Sequence, residues 1–331
     1  MVQKEHQMIF SFGIRPEVVV MPLLEISNLS FSYDGRDYAL SDINLSTDIS
    51  SGILSILGPN GAGKTTLVNI LTTTFKPQKG MAKIFGLDVV KDKKKIREMI
   101  SLCAQDLELD VLLSVRTNLK FYGIIRGIPK NELEKRLDDI VEMFGLTEHQ
   151  HKRVLELSGG LRRRTQLARA FLDPRSKLIF IDEPTLGLDP IGKKITWDLI
   201  REMSKEGYYF VLTTNDMAEV ESLSDEIVFI HKGRIILHTT LREFKHVYAG
   251  KVMVTFKKEL FPQLMGMLSN YLKRNNLGKI IGKDTVELED KLAFYELLLF
   301  LRDIGFDITQ IVVKEETLLD GFIKLIGGIE K

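Results

Sequence analysis

The stretch LGPNGAGKTT, residues 57–66, joins an apolar run (ILSIL, 53–57) to a segment with helical periodicity. Gly58, Gly61, Gly63, Lys64 and Thr65 fit the spacing G-x-x-x-x-G-K-[ST] of a phosphate-cradling loop. The chemistry follows from the residue types. Glycines let backbone N–H groups curl around phosphate oxygens, and the helix that follows adds its positive end. Lys64 is placed to reach β- and γ-phosphates, and the Thr65 hydroxyl to ligate Mg²⁺. Pro59, Asn60, Ala62 and Thr66 complete the loop.

A second stretch, KLIFIDEPT (177–185), sets Asp182 and Glu183 at the tip of a strongly apolar run. Asp182 suits the Mg²⁺ shell opposite a phosphate loop. Glu183 is then placed to orient or deprotonate an attacking water. A third, VLTTNDM (211–217), stops abruptly in polar residues, leaving Asn215 just past a strand tip. In open α/β sheets the carboxyl ends of strands are where ligands are held.

The elements that must position these groups are legible as periodicities. Residues 23–57 hold three short strand-like runs separated by Asp34-Gly35 and Ser50-Ser51-Gly52. Helices are expected at about 64–75, 131–144, 159–172 and 190–204, and strands at 177–181 and 208–213. A short helix and a hairpin turning at Lys232-Gly233 close this part. Strands alternating with helices imply a largely parallel sheet. Beyond a boundary near 241–250 the order becomes strand-helix-strand-strand-helix-strand and a last helix, the split βαβ order of a ferredoxin-like unit.

Bulk properties narrow the class. The chain has 331 residues, 44% hydrophobic and 27% charged, with a net charge of +1, so its charge balance favours no nucleic-acid partner. One cysteine, Cys103, excludes an intramolecular disulfide and fits a reducing compartment. No run approaches the roughly 18–20 apolar residues that cross a bilayer. Residues 1–20 read as an N-terminal extension, and the expected location is cytoplasmic. The run Arg162-Arg163-Arg164 reads as a solvated helix face opposite Leu167, Ala168 and Phe171.

LSGG at 157–160, followed by LRRRTQLARAF and then the Asp-Glu strand, resembles the signature of ABC-type ATPases, over about residues 23–240. The resemblance implies a P-loop NTPase fold: a RecA-like core with an antiparallel β subdomain and a helical subdomain at about 106–157. Together with the C-terminal part, it gives an ATP-binding domain at 21–240 and an accessory domain at 250–331. It further implies ATP and Mg²⁺ as bound groups, with Tyr33 stacking on adenine. Gln105 would join Thr65 and Asp182 at the metal and link the site to a membrane permease. Two ATPs would lie between two such subunits, in a homodimer or a heterodimer. Ser158, Gly159 and Gly160 of one subunit would cap the γ-phosphate held by the other, and Asp189, in Gly187-Leu188-Asp189, would cross that interface. The ending EETLLDGFIKLIGG (315–328) is similar to that of daunorubicin-resistance-type exporter subunits. A chain of this kind would lie at the inner face of the membrane.

Two departures stand out. Leu161 follows LSGG where the family commonly has glutamine, and Asn215 stands where it has a histidine that contacts the γ-phosphate. Asparagine still donates through its amide, but it is shorter and carries no proton. The expectation is therefore ATP binding with slowed hydrolysis, or adequate substitution by Asn215, or a different partner subunit that completes the site. Beside the exporter reading stand a soluble ABC ATPase and a regulatory module with slow turnover and no transport role.

Overall fold

The computed structural model describes residues 22–47, 52–248, 250–257 and 260–329. The extension expected at 1–20 lies outside them. The chain opens with β1 (Leu24–Ser32), β2 (Tyr38–Thr47), β3 (Ile53–Leu57) and α1 (Lys64–Leu71). Then come β4 (Lys79–Ile84), β5 (Leu87–Asp88), α2 (Lys93–Met99) and β6 (Ile100–Cys103). Three helices follow: α3 (Val115–Ile125), α4 (Lys130–Met143) and α5 (Gly159–Ala170). Next are β7 (Leu178–Asp182), α6 (Pro190–Lys205), β8 (Tyr209–Thr214) and α7 (Met217–Leu223). The hairpin β9 (Glu226–His231) and β10 (Arg234–Thr240) leads into α8 (Leu241–Tyr248).

These elements build two sheets. One is six-stranded, in the order β10-β9-β3-β8-β7-β6, and parallel from β9 to β6. Its inner strands β3 and β7 are buried at every position, which is why they read as unbroken apolar runs. The other, in the order β2-β1-β4-β5, is antiparallel and packs with α1 against one face of the first. The opposite face is covered by α3, α4, α5 and α6 through Leu119, Leu137, Leu167 and Ile200.

The expected helix at 64–75 ends at Leu71, because Thr72 bonds back to the Val68 carbonyl (2.9 Å) and Thr73 turns left-handed (φ 66°). Strands β4, β5 and β6 and helices α3 and α8 carry no pattern strong enough to be read from sequence. In α3 the stripe is blurred, since exposed Phe121, Ile124 and Ile125 interleave with buried Val115 and Leu119.

The C-terminal part contains β11 (Val252–Phe256), α9 (Pro262–Arg274), β12 (Gly278–Ile280), β13 (Thr285–Leu288), α10 (Lys291–Asp303) and β14 (Ile311–Glu315). Its strands form an antiparallel sheet in the order β12-β13-β11-β14, the ferredoxin-like arrangement expected from the order of elements. Val254, Phe256 and Leu288 pack there on Leu268 and Leu272 of α9 and Leu297 and Leu301 of α10.

The last helix, α11 (Leu318–Ile329), turns back onto the N-terminal part. Leu318 is buried with Leu57, Met217, Val220, Phe229 and Phe244, and the Phe322 ring meets Phe229 edge-on at 4.9 Å. Leu318→Ala is expected to cost about 2–5 kcal/mol at this junction. A lowered denaturant midpoint and faster amide exchange over α11 would show it; exchange unchanged over α11 would contradict the tie.

Candidate functional site

The phosphate loop is shaped by steric limits that only glycine meets. Gly63 closes the loop as the N-cap of α1 at φ 105°, and a Cβ there would sit 2.7 Å from the Ala39 carbonyl oxygen. At Gly58 a Cβ would sit 2.2 Å from the carbonyl oxygen of Ile230. The hairpin turn braces the loop from behind: Gly233 N–H donates to the Ala62 carbonyl (3.0 Å), and its own carbonyl accepts from Ser41 N–H (2.8 Å). The N–H groups of the first turn of α1 are thereby aimed into the loop.

Lys64, only 6% exposed, donates to the carbonyls of Gly58 (2.8 Å) and Pro59 (3.2 Å). Burial pushes its ammonium below the usual lysine range, and the nearby Glu183 and Asp182 carboxylates oppose that shift. Thr65 Oγ1 donates to Asp182 Oδ2 at 2.9 Å, and Thr213 at the end of β8 donates to the other carboxylate oxygen. A hydroxyl and a buried carboxylate beside the loop make a hard-oxygen donor pair that suits Mg²⁺.

Glu183 follows at the strand tip with φ 49°, a left-handed conformation that costs a non-glycine residue on the order of 1–2 kcal/mol. Pro184 next to it disfavours the right-handed alternative. The conformation is pinned by its N–H, which donates to the Thr213 carbonyl (3.0 Å). The result aims the half-buried side chain toward the loop instead of along the strand.

One cleft of about 450 Å³ is lined by Tyr33, the loop residues 60–66, Gln105, Glu183 and Asn215. Tyr33 is 65% exposed; its hydroxyl hydrogen-bonds Thr66 Oγ1 (2.9 Å) and its ring meets Phe31 and Phe75 edge-on, which fixes its plane at the rim. Asn215 donates from Nδ2 to Asn60 Oδ1 at 3.1 Å, across the cleft mouth. Gly58, Pro59 and Asp182 lie behind this lining as its support.

Ser158, Gly159, Gly160 and Asp189 do not line the cleft. Ser158 caps α5, accepting from Leu161 N–H (3.3 Å), and Asp189 caps α6, accepting from Gly192 N–H (2.7 Å). A Cβ at Gly159 or Gly160 would meet nothing within 4 Å, so no contact among the described residues requires glycine there.

The structure corrects one reading. Arg163 is not on a solvated face: it is 7% exposed and bonded to the strand tip of β7, while Arg162 donates to the carbonyls of Val154 and Leu155. Other supporting groups carry no motif at all. Lys193 of α6 pairs with Asp216 beside Asn215 (2.5 Å); partial burial pushes that carboxyl up, but the ion pair and two helix-start N–H groups together outweigh it and hold it below the usual range. Buried Glu219 accepts from Thr185 (2.7 Å) and Trp197 (3.1 Å), and burial raises its pKa. It ties the segment after Glu183 to α6 and α7.

Comparison with known proteins places this geometry. The ABC transporter family model matches residues 41–186. The daunorubicin resistance ATP-binding protein DrrA3 of Streptomyces coeruleorubidus is 40% identical over 278 residues, 82% of this chain and 86% of that protein. The doxorubicin resistance ATP-binding protein DrrA of Mycobacterium tuberculosis is 39% identical over 212 residues, 64% of this chain; the match spans 63% of that protein's length. Among solved structures, a dimeric ATP-binding cassette in a post-hydrolysis state with ADP and Pi is 25% identical with a TM-score of 0.59, covering 66% of this chain and 99% of that one. An ATP-binding subunit of an ABC transporter is 26% identical with a TM-score of 0.60, covering 67% and 92%. With its phosphate loop, its Asp-Glu strand tip and these relatives, the chain belongs to the ATP-binding proteins of ABC transporters, the family that includes the daunorubicin and doxorubicin resistance ATP-binding proteins.

Proposed function

We propose that this chain is the ATP-hydrolysing subunit of a drug-exporter-type ABC transporter, working as a dimer with a separate membrane permease. The observation that carries the reading is the meeting of Lys64, Thr65, Gln105, Glu183 and Asn215 around one cleft. Tyr33 stacks on the adenine from the rim, and the N–H groups of residues 60–66 hold the phosphates. Thr65 and Asp182, with Gln105 beside them, would hold Mg²⁺, which would supply charge neutralisation at the phosphate oxygens. Lys64 stabilises the charge that develops on the transferred group, Glu183 takes the proton of the attacking water, and Asn215 orients that water through its amide.

The outward-facing signature supports a dimer. Two glycines open the first turn of α5, where alanine is the better helix former, and among the described residues no contact calls for them. Their small size and the open helix start serve a group arriving from outside, the γ-phosphate of the partner's ATP. Asp189, exposed at the start of α6, meets the partner along the same edge. Among the described residues no helix is long and apolar enough to cross a membrane, so transport requires a permease. The relatives named for daunorubicin and doxorubicin resistance support drugs of that kind as the exported substrates. The subunit would lie against the inner face of the membrane.

Asn215 sets the rate. Loss of one polar contact to developing charge costs roughly 10²–10³ in rate, and the bond from Asn215 to Asn60 restores part of the positioning. Asn215→His is expected to raise single-turnover ATP hydrolysis by about tenfold or more with ATP affinity unchanged. An unaltered rate would show that Asn215 already performs the task.

A further inference from the structure

The guanidinium of Arg163 lies beneath the site and touches none of the cleft. It has five N–H donors, and all five are used. Nε donates to the Pro184 carbonyl (2.9 Å), and Nη2 to the carbonyls of Asp182 (3.0 Å) and Glu183 (2.9 Å). Nη1 donates to the Ala104 carbonyl and to Gln166 Oε1, both at 2.9 Å. Gln166 in turn donates to the carbonyls of Ala104 (2.9 Å) and Asp106 (2.6 Å), on either side of Gln105.

We infer that Arg163 is a positioning residue for hydrolysis, clamping the strand-tip carbonyls of residues 182–184 and the Gln105 loop to helix α5 so that Glu183 keeps its left-handed backbone and its aim into the cleft. Three successive carbonyls are gathered on one planar fork only because the chain turns at Glu183, where φ is 49°. Were the turn relaxed to an extended conformation, these carbonyls would alternate in direction and the fork would reach fewer of them. All five acceptors are neutral oxygens, so the charge is held by oriented dipoles. An apolar side chain would fill the same space and take a donor away from each of these five oxygens. Because Arg163 lies five residues after Ser158 on the same helix, seating the signature edge against a partner and aiming Glu183 become one mechanical event.

This inference rests on Glu183 as the base of the proposed reaction. It is tested on the full chain with Mg-ATP, using Arg163→Lys, which keeps the charge but not the planar fork, and Arg163→Gln. Single-turnover hydrolysis of ATP is expected to fall roughly 30- to 100-fold, the scale of a misplaced reacting group, while ATP affinity stays within about threefold. Combined with Glu183→Gln, Arg163→Lys is expected to add no further loss, because both remove the same contribution. The inference is overturned if Arg163→Lys hydrolyses within about threefold of the wild-type rate, or if its loss multiplies with that of Glu183→Gln. Loss of the fold in both Arg163 variants overturns it too, by making the role purely structural. A Glu183→Gln chain with wild-type turnover would bring down the reading of Glu183 and this inference together. A normal Glu183→Gln defect beside an unaffected Arg163→Lys rejects the inference alone.

Discussion

Glu183→Gln is expected to cut ATP turnover by about 10²- to 10⁴-fold, the contribution of a positioned general base, while ATP still binds. The substitution keeps the size of the side chain and its ability to orient water, but the amide cannot take a proton. The hydrogen bonds of the loop are not touched: Lys64 donates to the Gly58 carbonyl and Thr65 to Asp182 without the Glu183 side chain. The left-handed backbone at 183 is held through its N–H and its carbonyl, which the substitution leaves in place. The expected product is therefore a chain that closes on ATP and stays closed. Phosphate release and equilibrium binding of a fluorescent ATP analogue check the two halves separately. Weak binding together with lost turnover would mean that Glu183 holds the fold of the site and not its chemistry.

Lys64→Ala acts on the other side of the same phosphate. A charge-assisted hydrogen bond to phosphate is worth about 1.5–3 kcal/mol, so ATP affinity is expected to fall about 10- to 100-fold. Turnover per bound ATP falls by a further 10²- to 10³-fold or so, as for the loss of one electrostatic contact to the transition state. Stability behaves differently. The Lys64 pKa is lowered by burial, so in the chain without nucleotide its charge weakens the folded state. That penalty is fully present below the lowered pKa and fades as pH rises toward the ordinary lysine value. At neutral pH, then, Lys64→Ala is expected to leave the melting temperature of the nucleotide-free chain nearly unchanged, and to abolish the rise that ATP gives the wild type. A large drop without nucleotide would assign Lys64 to the fold.

The parts of the site that were legible from sequence are those whose constraint is local. A phosphate loop needs glycines at fixed offsets, because backbone conformation and close approach permit nothing else, and Gly58 and Gly63 show that limit in ångströms. Asp182 and Glu183 end an apolar run because a buried strand delivers its last residues to the sheet edge. Contacts between distant segments left no such trace. The bonds from Thr213 to Asp182 and from Asn215 to Asn60 join strand ends that become neighbours only once β3, β7 and β8 are aligned. Arg163 is an intermediate case. It stands four residues before Leu167 and seven before Ala170, on the buried stripe of α5, so the helical period places it inside. Its charge, weighed alone, suggests the opposite. In the fold, short edge strands such as β5 and β6 escaped because two to four residues carry no usable alternation. The docking of α11 onto β9 escaped because apolar periodicity says which face is buried and not what buries it.

In the proposed function, two of these chains close face to face on ATP held at the Lys64 loop and capped by the partner's Ser158–Gly160 edge. The most direct test of this closure is the mass of the Glu183→Gln chain in solution, measured by light scattering with and without Mg-ATP. A single chain of 37.7 kDa is expected without nucleotide and a species of twice that mass with it, lost again when Ser158 is replaced by arginine. A mass that stays at one chain under saturating ATP, or a dimer that forms equally well without nucleotide, would contradict it.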